Sequence, residues 1–145
     1  MNLFRYQMSF SEILPNLYLG NRHAKYCETG KNKFQPTVII SIGCNRNIFP
    51  NLVAEYKFSI KDGKESDITP FLTEITSLID KHIKNNVVFI HCQAGINRSP
   101  AIVLAYLCKY HNYTVDQAQS YIKERRPCAR FQWHYMKQVE EWLGE

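Results

Sequence analysis

One segment of the sequence brings together residue types that could attack a phosphate ester. Cys92 and Arg98 are separated by five residues, with Gly95 between them and Ser99 directly after the arginine. The planar fork of an arginine guanidinium can hold two oxygens of one phosphate. A cysteine thiolate beneath such an anion is placed for in-line attack on phosphorus. The spacing therefore predicts phosphoryl transfer through a covalent intermediate on Cys92.

The loop after Cys92 is predicted to connect a strand with a helix. Val87–Ile90 is a short, wholly apolar run, which is typical of a central strand covered on both faces. Ser99 is predicted to cap the next helix, with Pro100 in its first turn and an apolar stretch over Ala101–Cys108. The loop N–H groups and the positive end of this helix would form an anion cradle. The predicted phosphate-binding residues are Gln93, Ala94, Gly95, Ile96, Asn97 and Arg98.

Two neighbours of this loop have predicted supporting roles. His91 precedes Cys92 on the strand and should point to the opposite side, so we expect it to order the loop by hydrogen bonding. Ser99 can donate a hydrogen bond to the Cys92 sulfur, which would help the sulfur to leave in a second step.

The remaining elements predict an α/β domain. Three further segments combine apolar and β-branched residues and are predicted strands: Leu17–Leu19, Thr37–Ile42 and Tyr56–Ile60. Three segments are predicted helices: one capped by Thr69 and ending at Ile83, one that opens with a Thr114/Gln117 capping box and ends before Pro127, and one over Trp133–Leu143. This alternation predicts a central, mostly parallel β-sheet flanked by helices, with its site at the carboxyl ends of the central strands.

The composition narrows the class of protein. The 145 residues suit one compact domain over residues 1–145. They carry 18 Lys and Arg against 13 Asp and Glu, which gives a formal charge of +5. We find no signal peptide and no apolar run long enough to span a membrane. We therefore expect a cytoplasmic protein that has no membrane partner and is small enough to enter the nucleus. The five cysteines form no CxxC pair or Cys/His cluster, so neither a metal nor another cofactor is predicted.

The sequence resembles a known enzyme family. HCQAGINRS resembles the HCxxGxxRS signature of the cysteine-dependent protein tyrosine phosphatases, and the proline that follows is similar to the dual-specificity branch. ILPNLYLGN, KDGKESDI, AYLCKY and IKERRP to YMKQVEEW are also similar in kind and order, so the resemblance covers about residues 11–143. It implies a protein tyrosine phosphatase-like fold and a small atypical dual-specificity phosphatase. Such an enzyme hydrolyses phosphotyrosine and phosphoserine or phosphothreonine in proteins through a phosphocysteine.

The resemblance also implies a general acid. In the family, an aspartate some thirty residues before the cysteine lies on a mobile loop and protonates the leaving oxygen. Asp62 has this spacing from Cys92, follows a predicted strand and precedes Gly63, so it is the candidate acid, which would then activate the hydrolytic water. Asp67 is the competitor, although its place before the predicted helix suits stabilisation of a helix N-terminus.

Other interpretations remain open. Asn97 stands where dual-specificity enzymes commonly have serine, and GINR is similar to the loop of the RNA 5′-triphosphatases of the same superfamily. Those enzymes typically have histidine at the position of Ala94, so the sequence favours a protein phosphatase over an enzyme with RNA as its partner. A non-catalytic phosphoprotein-binding module is a third alternative. Cys44 could be a redox partner of Cys92, but a buried thiol at a strand end is the favoured interpretation.

Overall fold

A computed structural model describes residues 9–30, 33–44 and 49–144 of the chain. Five strands and four helices are found within these residues. In chain order they are β1 (Phe10–Leu14), β2 (Leu17–Gly20), β3 (Val38–Ile42), β4 (Ala54–Phe58), α1 (Thr69–Ile83), β5 (Val88–His91), α2 (Arg98–His111), α3 (Val115–Arg125) and α4 (Trp133–Leu143).

The strands form one sheet in the order β1-β2-β5-β3-β4. β2, β5, β3 and β4 run parallel, and β1 pairs antiparallel with β2. β5 is central, and the register pairs its last residue, His91, with Ser41 of β3. The predicted mostly parallel sheet is confirmed. The carboxyl ends of β3 and β5 therefore meet at one edge of the sheet, where the residues that follow each strand come together.

Apolar residues cover both faces of the central strands. Every residue of β3 and β5 is buried, as the apolar runs predicted. One face packs against α2, which is buried from Arg98 to Cys108. The other face is covered by an aromatic cluster in which Phe34 stacks on Phe10 at 4.2 Å and meets Phe89 edge-on at 4.9 Å between ring centroids. The loop that begins at Cys92 thus follows a strand that is packed on both faces.

Two predicted helix starts are wrong, the first by one residue and the second by two. α1 begins at Thr69 itself with Ile68 as the N-cap, and the Thr69 side chain caps nothing. α2 begins at Arg98 with Asn97 as the N-cap, so Ser99 lies inside the helix. Neither observed N-cap residue makes a side-chain hydrogen bond to its helix. The favourable cap residue types Thr69 and Ser99 therefore do not mark where these helices begin.

Other boundaries agree more closely with the sequence. The predicted capping box of α3 is confirmed, since Thr114 Oγ1 accepts from Gln117 N at 3.1 Å and Gln117 Oε1 accepts from Thr114 N at 3.0 Å. The strand predicted over Tyr56–Ile60 begins and ends two residues earlier, as β4. Among the described residues, no helix combines the length and the apolar character that crossing a membrane requires.

Candidate active site

Cys92 lies at the base of the loop that connects β5 with α2. Its side chain is 2% exposed, and its sulfur is within hydrogen-bond distance of two groups. Gly95 N donates to Sγ at 3.2 Å, and Ser99 Oγ lies 3.1 Å from Sγ. Donors directed at a sulfur stabilise the thiolate, which is the nucleophilic form. The predicted proximity of Ser99 to Cys92 is thus present in the structure.

The backbone of the loop is turned so that several N–H groups face inward. Three of its carbonyl groups are held from the outside: Gln93 O accepts from Arg22 N at 3.2 Å, Gly95 O from Arg126 Nε at 2.8 Å, and Ile96 O from Arg130 N at 2.8 Å. In a trans peptide the carbonyl and the following N–H point in opposite directions. The N–H groups of Ala94, Ile96 and Asn97 consequently face away from these partners, as an anion cradle requires.

Arg98 closes the cradle at the first residue of α2. Its side chain is 6% exposed, and Nη1 donates to Ile60 O at 2.7 Å. Within the described residues its Nε is buried without a hydrogen-bond partner. A buried donor of this kind needs an acceptor. The guanidinium is therefore anchored through one nitrogen and presents another to an incoming oxyanion.

His91 ties the start of the loop to the neighbouring strand. Its Nε2 lies 2.8 Å from Ser41 Oγ, across the β5–β3 pair, and its Nδ1 lies 3.4 Å from Cys92 O. The ring is fully buried and stacks on Phe89 of the aromatic cluster, with ring centroids 5.2 Å apart. Cys44 Sγ approaches the same Nδ1 at 3.5 Å. Burial, with the charge of Cys92 adding to it, raises the pKa of the Cys44 thiol, so this group remains protonated at neutral pH.

Asp62 reaches the loop from the segment after β4. Its Oδ2 accepts from Asn97 Nδ2 at 3.4 Å, and its Oδ1 accepts from Tyr135 Oη at 3.0 Å and from Gly63 N at 2.9 Å. Partial burial opposes the charge on this carboxylate. The three hydrogen bonds and the Arg98 charge outweigh that effect and hold the pKa of Asp62 below its ordinary value.

Asp67 does not take part in this arrangement. Its Oδ1 accepts from Thr69 N at 3.0 Å, next to the beginning of α1. A carboxylate in this place satisfies a backbone donor at the helix N-terminus and interacts favourably with the helix dipole. Of the two candidate acids, the structure brings Asp62 to the phosphate loop.

Two residues at the site make contacts that were not predicted from the sequence. Arg126, 1% exposed, follows α3 and joins Gly95 O to Ser11 Oγ, which accepts from Nη1 at 3.0 Å. Tyr135 is fully buried on α4 and reaches Asp62 with its hydroxyl group. Each is distant in sequence from its partner. The local sequence offered one signal: Tyr135 is a polar residue on the face of α4 that the apolar pattern predicts to be buried.

A cavity of about 600 Å³ opens beside the loop. Its lining includes Gln93 of the loop and Arg98 of α2. It also includes Lys57 of β4, and Lys61 and Asp62 from the segment after β4. A substrate entering this cavity meets the cradle and the Asp62 carboxylate together. Among the described residues, no group of three or more His, Cys, Asp or Glu side chains is arranged to hold a metal ion.

Residues 17–144 match the family model described as the dual specificity phosphatase catalytic domain. The chain belongs to the dual-specificity phosphatase family. It is 32% identical over 146 residues to "Putative tyrosine phosphatase 123R" of Invertebrate iridescent virus 6, a match that covers 94% of this chain and 96% of the relative. It is 34% identical over 131 residues to dual specificity protein phosphatase 1 of Homo sapiens, covering 88% of this chain and 35% of that protein. The chain thus spans about a third of the length of the human relative.

The solved structures agree with this assignment. The crystal structure of the human tyrosine phosphatase-like serine/threonine/tyrosine-interacting protein is similar with a TM-score of 0.79 and 28% identity, over 94% of this chain and 97% of that chain. The predicted family and the predicted α/β fold are both confirmed. The family is one of protein phosphatases, as the loop sequence implied, and its substrates are phosphorylated proteins.

Proposed function

We propose that this chain is a dual-specificity protein phosphatase whose single catalytic domain, residues 1–145, hydrolyses phosphotyrosine and phosphoserine or phosphothreonine through a phosphocysteine on Cys92. One observation carries the proposal. The Cys92 sulfur lies beside inward-facing donors and beneath Arg98, whose buried Nε lacks a partner among the described residues. A phosphate dianion satisfies these donors and brings phosphorus to the sulfur.

In the first step, the Cys92 thiolate attacks phosphorus in line with the ester oxygen. A sulfur–phosphorus bond forms, the phosphorus–oxygen ester bond breaks, and the leaving oxygen takes a proton from Asp62. The negative charge of the bound phosphate favours the protonated form of this carboxyl group. The loop N–H groups and Arg98 hold the equatorial oxygens, where negative charge is greatest. The product alcohol or phenol departs and leaves a phosphocysteine.

In the second step, a water molecule attacks the phosphocysteine. Asp62, now a carboxylate, takes a proton from the water, and the sulfur–phosphorus bond breaks to release inorganic phosphate. The Ser99 hydroxyl, 3.1 Å from Sγ, donates a hydrogen bond to the departing thiolate. His91 supports both steps by fixing the loop between β3 and β5. The mechanism needs no metal ion and no other cofactor.

The proposal extends to partners and location. Phosphorylated proteins are the substrates, and the formal charge of +5 favours their approach to the cavity. We propose a cytoplasmic protein that is small enough to enter the nucleus.

Both alternative functions are less well supported. The resemblance of GINR to the RNA 5′-triphosphatases depended on Asn97, and its side chain donates to Asp62, which gives the residue a use within the protein. One structural relative is named as a phosphatase-like interacting protein, which is relevant to a non-catalytic binding module. The present chain has Cys92, Arg98 and Asp62, and both Arg98 and Asp62 line the cavity beside the loop that begins at Cys92, an arrangement that binding alone does not require.

The test measures release of phosphate from four substrates: a chromogenic aryl phosphate, a phosphotyrosine peptide, a phosphothreonine peptide and triphosphate-ended RNA. We expect vanadate-sensitive turnover of the first three, which Cys92→Ser abolishes without loss of the fold, because a serine hydroxyl is not ionised at neutral pH. Cys27→Ser is the matched control, since the Cys27 thiol donates to Thr29 O away from the loop and should be dispensable.

Each contrary result has a defined meaning. Full activity in Cys92→Ser contradicts the covalent mechanism. Preferred release of phosphate from RNA favours the triphosphatase. Binding of phosphopeptides without turnover by the unmodified chain favours the non-catalytic module.

A further inference from the structure

We infer that Tyr135, together with Asn97, is a positioning residue that holds the Asp62 carboxylate over the phosphate loop in the orientation from which it delivers its proton. The inference rests on the proposed role of Asp62 as general acid. It assigns a function in the reaction to a residue of the last helix that neither the motif nor the family match identifies.

The geometry gives each carboxylate oxygen its own side-chain donor. Tyr135 Oη lies 3.0 Å from Oδ1, and Asn97 Nδ2 lies 3.4 Å from Oδ2. The two donors come from α4 and from the phosphate loop, so they approach the carboxylate from different elements. Asp62 itself follows β4 and is exposed outside any regular element. The position of its carboxylate therefore depends on these two side-chain donors as well as on the neighbouring Gly63 N–H.

Tyr135 is suited to this role because its ring is immobilised. It is fully buried in the main core cluster, and its neighbour His134 packs against it with ring centroids 4.0 Å apart. Burial raises the pKa of the Tyr135 hydroxyl, so it stays protonated and remains a donor throughout the pH range in which a phosphatase works. A phenylalanine would fill the same space and remove only the hydroxyl group, which contacts Asp62 Oδ1 at 3.0 Å and also interacts with the Ser66 side chain.

The charged environment of Asp62 comes from several elements. The titratable groups on the elements around it are Arg98 on α2, Tyr135 and His134 on α4, Lys57, Lys61 and Cys44 along the cavity, and Cys92 in the loop. Burial opposes the charged carboxylate, while donation from Gly63 N, Tyr135 and Asn97 and the Arg98 charge favour it. Removal of the Tyr135 donor therefore raises the pKa of Asp62.

The experiment compares Tyr135→Phe with Tyr106→Phe. Tyr106 is the matched control because it is another buried tyrosine whose hydroxyl meets an aspartate, Asp80 Oδ1 at 3.5 Å, away from the loop. For Tyr135→Phe we expect kcat to fall about three- to ten-fold on a phosphoserine peptide, the effect of losing one hydrogen bond of ordinary strength. The fall should be smaller on a chromogenic aryl phosphate, whose leaving group needs less protonation.

The pH profile of kcat provides the second readout. Because a raised pKa keeps Asp62 protonated to higher pH, the alkaline limb should move to higher pH in Tyr135→Phe and stay in place in Tyr106→Phe. Asn97→Ser removes the other donor and should move the limb in the same direction. This variant also keeps the inference testable if Tyr135→Phe does not fold.

A double-variant cycle tests the role of Tyr135 separately from the role of Asp62. If Asp62→Asn leaves kcat on the phosphoserine peptide unchanged, the proposed role of Asp62 is wrong. If Asp62→Asn reduces kcat as expected, Tyr135→Phe should add no further loss in that background. An equal loss in both backgrounds, or an alkaline limb that moves no more than in Tyr106→Phe, overturns the inference and leaves the role of Asp62 intact.

Discussion

Gly43, at the end of β3, makes room for the guanidinium that binds phosphate. It adopts φ of +69°, and a Cβ added there would collide with Arg98 Nη1 and lie 2.6 Å from Ile60 O. Those are the two atoms that anchor the arginine. In Gly43→Ala we expect kcat/KM for an aryl phosphate to fall at least about ten-fold, since a displacement of about 1 Å in a binding group has effects of this order or larger. Inhibition by inorganic phosphate should weaken in parallel.

Gly30→Ala is the control for backbone strain in this comparison. Gly30 has φ of +86°, and among the described residues, its chain neighbours aside, no atom lies within 4 Å of an added Cβ. The substitution carries a conformational cost similar to that at Gly43, about 1–2 kcal/mol, without a collision. Unchanged phosphate inhibition in Gly43→Ala, with the same loss of stability as in Gly30→Ala, would show that the position of Arg98 does not depend on the glycine.

The positions of the proposed site residues were largely predictable where the residues are close in sequence. Cys92, Gly95 and Arg98 lie within seven residues, and their spacing predicts that they surround one anion. The contacts of Tyr135 and Arg126 were not predicted, because their partners are remote in the chain. The role of a buried arginine after a helix, or of a tyrosine on an apolar helix face, can be predicted only when the carbonyl or carboxylate that packs against it is known.

At the scale of elements, the end of α3 supports the phosphate loop. Arg126 donates to Gly95 O and to Ser11 Oγ of β1, so it connects three elements through one side chain. In Arg126→Met the apolar stem is kept and both donors are lost. We expect the free energy of unfolding to fall by about 1–3 kcal/mol, because the Gly95 carbonyl is left without its partner. Activity should fall with it as the loop loses its outer support.

Urea unfolding and aryl phosphate turnover measure the two effects. Arg125→Met is the matched control, because Arg125 is partly exposed, stacks on Tyr121 and donates to the Tyr121 carbonyl, not to the loop. If Arg126→Met and Arg125→Met are equally stable and equally active, the buried arginine does not support the loop.

Whole elements were easier to predict than their exact limits. β3 and β5 are apolar along their length and were found within a residue of their bounds, because burial on both faces leaves a continuous apolar run. β1 was not predicted. Its residues are mostly half-buried, and it exists as a strand through its antiparallel pairing with β2. The start of α2 at Arg98 was missed because Ser99 and Pro100 favour a later start, and its actual N-cap, Asn97, makes no side-chain capping hydrogen bond.

At the scale of the molecule, two tyrosines limit stability in alkali. Burial raises the pKa of Tyr106 to about 12, with Asp80 adding to it, and burial together with Glu12 raises the pKa of Tyr18 to about 12. Between the ordinary pKa of 10.0 and about 12 the unfolded chain loses these protons while the folded chain keeps them. The free energy of unfolding is therefore undiminished below this window and falls as pH rises through it.

Urea unfolding below and within that pH window tests this expectation. The double variant Tyr18→Phe, Tyr106→Phe removes both hydroxyl groups, so its stability should decline less steeply with pH than that of the unmodified chain. A decline of the same slope in both proteins would assign the alkaline sensitivity to other groups.

The contacts around the phosphate loop also order events during synthesis. Cys92 and Arg98 leave the ribosome before Arg126 and Tyr135, which support Gly95 O and Asp62 from later elements. A nascent chain that ends before α4 already contains the nucleophile and the phosphate-binding arginine but lacks the donor on its acid. We therefore expect a partly synthesised chain to complete its proposed phosphate-binding residues first, and to bring Asp62 into its proposed acid–base position only after α4 has formed.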